Sequence, residues 1–97
     1  MATYITLGKY TAQGIANIKE SPARLDAARE QFAPLGVTIR DFYLTLGDYD
    51  LVTVVEAPDN ATAIKALIAL GAQGNVSTTT LAALTEDEFR ALMAEMP

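Results

Sequence analysis

The order of apolar and polar positions divides the chain into segments typical of strands and segments typical of helices. Four short runs are dense in β-branched, aromatic and aliphatic residues and are bounded by turn residues, as expected of strands. These runs are residues 3–10, 37–46, 51–57 and 76–84. Apolar residues spaced three and four apart lie between or after the runs and indicate helices.

Three helices follow from this spacing and from their predicted caps. Ser21 is the predicted N-cap of the first helix, with Pro22 at the first helical position, and this helix should end near Gly36. The second opens at Pro58-Asp59-Asn60, and its predicted apolar face is Ile64, Leu67, Ile68 and Gly71. A capping box at Thr85 and Glu88 precedes the third, whose apolar residues are Phe89, Leu92, Met93 and Met96.

The resulting order, βαββαβα, predicts one α+β domain over residues 1–97. Its architecture is the ferredoxin-like βαββαβ plait: a four-stranded antiparallel sheet with helices on one face, plus a C-terminal helix.

The second face of the predicted sheet is apolar as well. By strict alternation, Phe42, Leu44, Leu51 and Val55 share one face, and the other carries Ile39, Tyr43, Val52 and Val54. A sheet that is apolar on both faces needs a second cover, and another copy of the chain would supply it. We therefore expect a homodimer through the sheet face, with higher oligomers possible in principle. The alternative is a monomer whose C-terminal helix folds across that face.

The hexapeptide Leu46–Leu51 separates two strands of a predicted hairpin. A two-residue loop at Gly47-Asp48 places Leu44 opposite Leu51. A four-residue loop, residues 47–50, instead places Leu46 opposite Leu51. Either register leaves Tyr49 and Asp50 at the sheet end, with the Asp50 carboxylate free to cap the turn or meet a cation. Both residues are candidates for ligand binding, although a plain turn also explains them.

The composition limits the kinds of catalytic and metal-binding sites that this chain can form. The chain contains no Cys, His or Trp, which excludes disulfides, thiol nucleophiles, the usual zinc clusters and a Ser-His-Asp triad. We expect neither a metal site nor a cofactor. The net charge of −5 argues against nucleic acid as a partner. With no targeting segment and no apolar run long enough to span a membrane, the expected location is the cytoplasm.

Two acidic strand residues, Asp41 and Glu56, point to one sheet face as opposite or diagonal neighbours in the predicted hairpin. Such a pair invites a proton, a basic side chain or a hard cation, so both are weak candidates for acid/base catalysis, together with Tyr10. The alternative is that the two carboxylates have no catalytic role and are either exposed to solvent at the rim of the sheet or neutralised by an Arg or Lys. Thr78 and Thr80 could line a polar pocket, although strand propensity explains them equally well.

Several of these residues also resemble the GYD domain family, small proteins of the α/β-plait superfamily with no settled activity. The resemblance rests on residues spread over nearly the whole chain: Thr11, Gly14, Ser21-Pro-Ala-Arg24, Gly47, Tyr49, Asp50, Glu56-Ala-Pro-Asp59, Gly74-Asn-Val76, Thr80 and Ala83. Ser77 stands where a basic residue commonly follows in the family, which weakens any anion site at that position. Related plaits that dimerise sheet to sheet form dimeric α/β barrels, some of which are cofactor-free enzymes.

Together these features favour a homo-oligomeric binding domain for a small metabolite, without established catalysis. One alternative is a cofactor-free enzyme of the dimeric α/β-barrel type, an isomerase or monooxygenase using carboxylate and tyrosine acid/base chemistry. The other is a structural interaction module.

Overall fold

A computed structural model describes all 97 residues of the chain. Four strands and four helices follow one another, in the predicted order except that the short helix α1 is additional: β1 (Ala2–Tyr10), α1 (Ala12–Ala16), α2 (Ser21–Phe32), β2 (Thr38–Leu44), β3 (Leu51–Ala57), α3 (Asn60–Ala72), β4 (Val76–Ala83) and α4 (Glu86–Ala94). Short 3₁₀ turns at Ile18–Glu20 and Ala33–Leu35 flank α2. No helix is long and apolar enough to cross a membrane.

The four strands form one sheet in the order β2-β3-β1-β4, with every neighbouring pair antiparallel. Helices α2 and α3 supply the buried residues that cover one sheet face. This arrangement confirms the predicted ferredoxin-like plait and its additional C-terminal helix. Strand β1 lies inside the sheet, so its residues 3–8 have neighbours on both sides, as Tyr4 has Val55 and Ala82.

The hydrophobic core between sheet and helices is built largely from small residues. Its members are Tyr4, Ala28, Phe32, Val37, Val55, Ala57, Ala63 and Ala66. Alanines on the helices allow close approach to the sheet, while Tyr4 and Phe32 supply most of the buried volume. The hydroxyl of Tyr4 donates to the side-chain oxygen of Asn60, so this buried phenol is satisfied.

A β-bulge at Arg40 changes the predicted faces of the β2–β3 hairpin. Asp41 pairs with Val54, but Ile39 pairs with Val55 rather than with Glu56. Because the extra residue reverses the alternation, Ile39 points to the helix-covered face and not to the open face that strict alternation predicts. Glu56 pairs instead with Thr38.

Two helix predictions also need correction. Ala63 and Ala66 of α3 are buried, and Leu67 of the predicted face lines the space between helix and sheet, whereas Ile64 and Ile68 are 55% and 66% exposed. The inward side of the helix is therefore shifted by one residue from the predicted face, which lets the small Ala63 and Ala66 fit closely against the sheet. Ser21 is not an N-cap: the preceding 3₁₀ turn runs into α2, and Ser21 already has helical φ and ψ of −56° and −43°.

The hairpin register matches the two-residue-loop prediction, since Leu44 pairs with Leu51. The connection itself is wider than predicted, because β2 ends at Leu44 and Leu46 is fully exposed. It is closed by Thr45, whose backbone N–H donates to the Asp50 carbonyl at 2.8 Å and whose hydroxyl donates to the Tyr49 carbonyl at 2.6 Å. Gly47 takes a φ of 100°, which favours glycine at this position.

The C-terminal helix α4 projects from the rest of the chain. The Cα atoms extend 52 Å along the longest axis and 17 Å along the shortest, and the radius of gyration of 14.6 Å exceeds the roughly 12.5 Å expected for a compact domain of this length. Phe89, Leu92, Met93 and Met96 remain 43–61% exposed. Helix α4 therefore does not fold across the open sheet face of its own chain.

Candidate functional site

A cavity of about 80 Å³ lies between the helix-covered face of the sheet and helices α2 and α3. Eleven of its eighteen lining residues are hydrophobic, so its interior is suited to apolar groups. Helices α2 and α3 contribute Leu25, Ala28, Phe32, Leu67 and Leu70, and strands β2 and β3 contribute Ile39, Phe42, Leu51 and Val55.

Threonines interrupt the apolar floor of this cavity. Thr6 and Thr53 face each other on β1 and β3, are 2% and 8% exposed, and both line the cavity. Thr78 of β4 lines it as well. Thr80 points to the same sheet face, but its hydroxyl lies 3.1 Å from that of Thr6 and it does not line the cavity.

The polar side of the cavity is formed by Tyr10, Ser21 and Arg24. The hydroxyl oxygens of Tyr10 and Ser21 lie 2.8 Å apart in a hydrogen bond. Arg24 donates to the backbone carbonyls of Asn17 at 2.9 Å and Gly14 at 3.4 Å. These bonds fix the guanidinium group, whose side chain is 21% exposed.

Asp50 supports Tyr10 through the backbone. Its carboxylate accepts a hydrogen bond from the Tyr10 N–H at 2.9 Å, and its own N–H donates to the Gly8 carbonyl at 2.8 Å. The Asp50 carboxylate, expected to cap its own turn or to meet a cation, is instead bound to the backbone at the end of β1. Tyr49 does not line the cavity; its ring lies under the Lys9 ammonium group, 5.3 Å from nitrogen to ring centroid.

A tight junction between α1 and the start of β4 lies beside these groups. The Thr11 N–H donates to the Asn75 carbonyl at 3.0 Å, and the Thr11 hydroxyl donates to the Gly74 carbonyl at 2.6 Å while accepting from the Gly14 N–H. A Cβ at Gly14 would lie 2.0 Å from the Asn75 carbonyl oxygen, so only glycine fits there. No periodic pattern reveals this junction, although the family resemblance includes these residues.

The acidic pair lies on the opposite side of the sheet from the cavity. Asp41 and Glu56 are on the open face, where the Glu56 carboxylate forms an ion pair with Arg40 at 2.6 Å. Tyr10 lines the cavity on the other face. The three candidate acid/base residues therefore do not share one site within a chain.

Asp59 and Glu88 are helix-capping carboxylates rather than members of the cavity. A hydrogen bond from the backbone N–H of Thr62 lowers the pKa of Asp59 below its ordinary value, and one from the backbone N–H of Thr85 does the same for the pKa of Glu88. The structure contains no cluster of three or more carboxylates able to hold a metal ion.

The four-stranded plait, with an apolar cavity between its sheet and two helices, defines a small α+β domain of the ferredoxin-like type. The GYD domain model matches residues 4–93, and the chain belongs to the GYD domain family.

Two proteins of Thermus thermophilus are similar to this chain. One is named glutamine synthetase and cystathionine beta-lyase binding protein; it is 36% identical over 85 residues, covering 87% of this chain and 90% of the relative. The other is TTHA0845, whose crystal structure aligns with a TM-score of 0.51 at 25% identity, covering 88% of this chain and 95% of that one.

Proposed function

We propose that this chain is a non-catalytic binding domain that docks on a metabolic enzyme, with glutamine synthetase and cystathionine β-lyase as the first partners to test. The observation that supports this most strongly is the 36% identity, over 87% of the chain, to a protein named for binding those two enzymes. We therefore propose protein–protein interaction, and not metabolite binding, as the main function of the chain.

Helix α4 is the proposed docking element. Its apolar residues Phe89, Leu92 and Met93 lie on one side, and Met96 follows just beyond the end of the helix; all four are 43–61% exposed. An amphipathic helix with such a face is a common means of binding a groove on another protein. Its capping box at Thr85 and Glu88 keeps the first turn helical without support from the sheet.

Binding of the two purified enzymes, taken from the same organism as this chain, tests the proposal. We expect at least one enzyme to bind, and we expect Phe89→Ser to weaken that binding roughly 30-fold, as loss of a central aromatic contact does. Ala91→Ser places the same residue on the opposite side of α4 and should leave the affinity unchanged. The proposed partners would be wrong if neither enzyme bound, and equal affinity of the two variants would exclude α4 as the docking element.

We also propose that two copies associate through the open sheet face. In the sheet register, Ile5 lies beside Val54 and Leu7 beside Val52, so four apolar side chains adjoin on this face. Burying them against a second copy would remove apolar surface from water. Light scattering at several concentrations tests this association, and a mass of 10.4 kDa at every concentration would contradict it.

A second candidate function is the binding of a small metabolite in the cavity. The cavity supports it because apolar walls, buried threonines and one polar side converge there. The enzymatic alternative has less support, because Tyr10 lies across the sheet from Asp41 and Glu56.

A further inference from the structure

We propose that the cavity between the sheet and helices α2 and α3 binds a small organic anion, a carboxylic acid with an apolar ring or chain. This assigns a ligand class to the second candidate function, on which it rests, and it is independent of enzyme docking.

The apolar walls of the cavity are suited to an apolar group. Leu25, Phe32, Val55 and Leu67 are among the residues that line it, and they approach from both helices and the sheet. A volume of about 80 Å³ has room for several waters, since one needs roughly 10–15 Å³ of such space. Water gains few hydrogen bonds among these side chains, so an apolar group that replaces it gains free energy.

The charge of the residues that line the cavity favours an anionic ligand. Arg24 is the only charged residue among the eighteen that line it, although the whole chain carries twelve acidic and seven basic residues. Its nearest carboxylate, on Glu20, lies 3.9 Å away, is 72% exposed and does not line the cavity. A guanidinium group without a carboxylate in the same cavity would attract a carboxylate from a ligand.

The donors on this side are held in place before a ligand arrives. The carbonyls of Asn17 and Gly14 occupy two of the five N–H groups of Arg24, so others remain free to donate. Tyr10 and Ser21 share one hydrogen bond, which uses one hydroxyl hydrogen and leaves the other available. These groups together can satisfy both oxygens of a carboxylate, at little cost in conformational entropy.

Three probes of nearly equal shape test the ligand class: phenylacetate, phenylacetamide and phenethylamine, titrated against the intact protein by calorimetry or by NMR. We expect phenylacetate to bind at least roughly tenfold tighter than the amide, because its bonds to Arg24 are charge-assisted, and the amine to bind weakest. Equal or tighter binding of the amide would overturn the anion assignment while leaving metabolite binding in place. Binding of none of the three would overturn both.

Two pairs of variants locate the site. Arg24→Gln should reduce the affinity for phenylacetate to that for the amide, whereas Arg29→Gln, at an exposed position of the same helix, should leave the preference intact. Since Arg24→Gln also removes bonds to the backbone, Ala28→Leu provides a second test by filling the cavity. It should abolish binding of phenylacetate, and Ala27→Leu at the exposed neighbouring position should not. Unchanged binding to a folded Ala28→Leu variant would place the ligand elsewhere and overturn the proposal.

Discussion

The substitution Gly14→Ala tests the junction that holds α1 against the start of β4. The new Cβ would lie 2.0 Å from the Asn75 carbonyl oxygen, where real Cβ atoms stay beyond 3.0 Å, so the two backbone segments must separate by about 1 Å. That movement stretches the bonds from Thr11 to the Asn75 and Gly74 carbonyls, now 3.0 and 2.6 Å long. Each bond contributes about 1 kcal/mol, and steric strain adds a similar amount.

The expected cost is therefore about 2–4 kcal/mol of unfolding free energy, or roughly 10–20 °C in Tm for a chain of this size. Thermal unfolding followed by circular dichroism measures it. Gly71→Ala is the matched control, because it is also in a helix and no atom lies within 4 Å of the added Cβ; its Tm should be equal to or slightly above that of the parent. If Gly14→Ala melts within about 2 °C of Gly71→Ala, the close approach of Gly14 to Asn75 is wrong.

Two further predictions concern carboxylates. Asp50→Ala should lower the free energy of unfolding by about 1–3 kcal/mol, measured by chemical denaturation, because the Tyr10 N–H loses its acceptor. Asp48→Ala, at an exposed position of the same loop, is the control and should have little effect. Equal losses in the two variants would contradict the role of Asp50. The pKa values of Asp59 and Glu88 are lowered on folding from ordinary values of 3.8 and 4.5, so their contribution to stability should be complete above about pH 5 and lost as the pH falls through the lowered values. Asp59→Asn combined with Glu88→Gln should therefore flatten the acid side of a stability–pH curve, and an unchanged curve would contradict this.

The plait itself was predictable because strand composition, helix caps and the hairpin turn all indicate one topology. The pairing of Leu44 with Leu51 and the capping box of α4 appear in the structure as predicted. These features depend on residues near one another in sequence, where turn and cap chemistry acts directly.

The errors arise where tertiary packing overrides local pattern. The bulge at Arg40 carries no sequence signal, yet it moves Ile39 to the covered face. In α3 the inward side combines the buried Ala63 and Ala66 with Leu67 and Leu70, one residue out of step with the predicted face, so Ile64 and Ile68 face outward.

The candidate site was only partly predictable for the same reason. Tyr10 and Thr78 line the same cavity. Asp50 does not line it but accepts a hydrogen bond from the Tyr10 backbone N–H, and the Tyr49 ring packs against Lys9. Arg24 was noticed only through the family resemblance, because its position depends on carbonyls of a neighbouring turn that no periodic pattern marks.

Native mass spectrometry of the protein purified from its own host tests the central claim, that this chain acts as a binding domain within an assembly. We expect masses containing more than one copy of the 10.4 kDa chain, together with complexes that include glutamine synthetase or cystathionine β-lyase and dissociate when Phe89 is replaced by Ser. A single species of 10.4 kDa, without partner, at every concentration measured, would contradict the account.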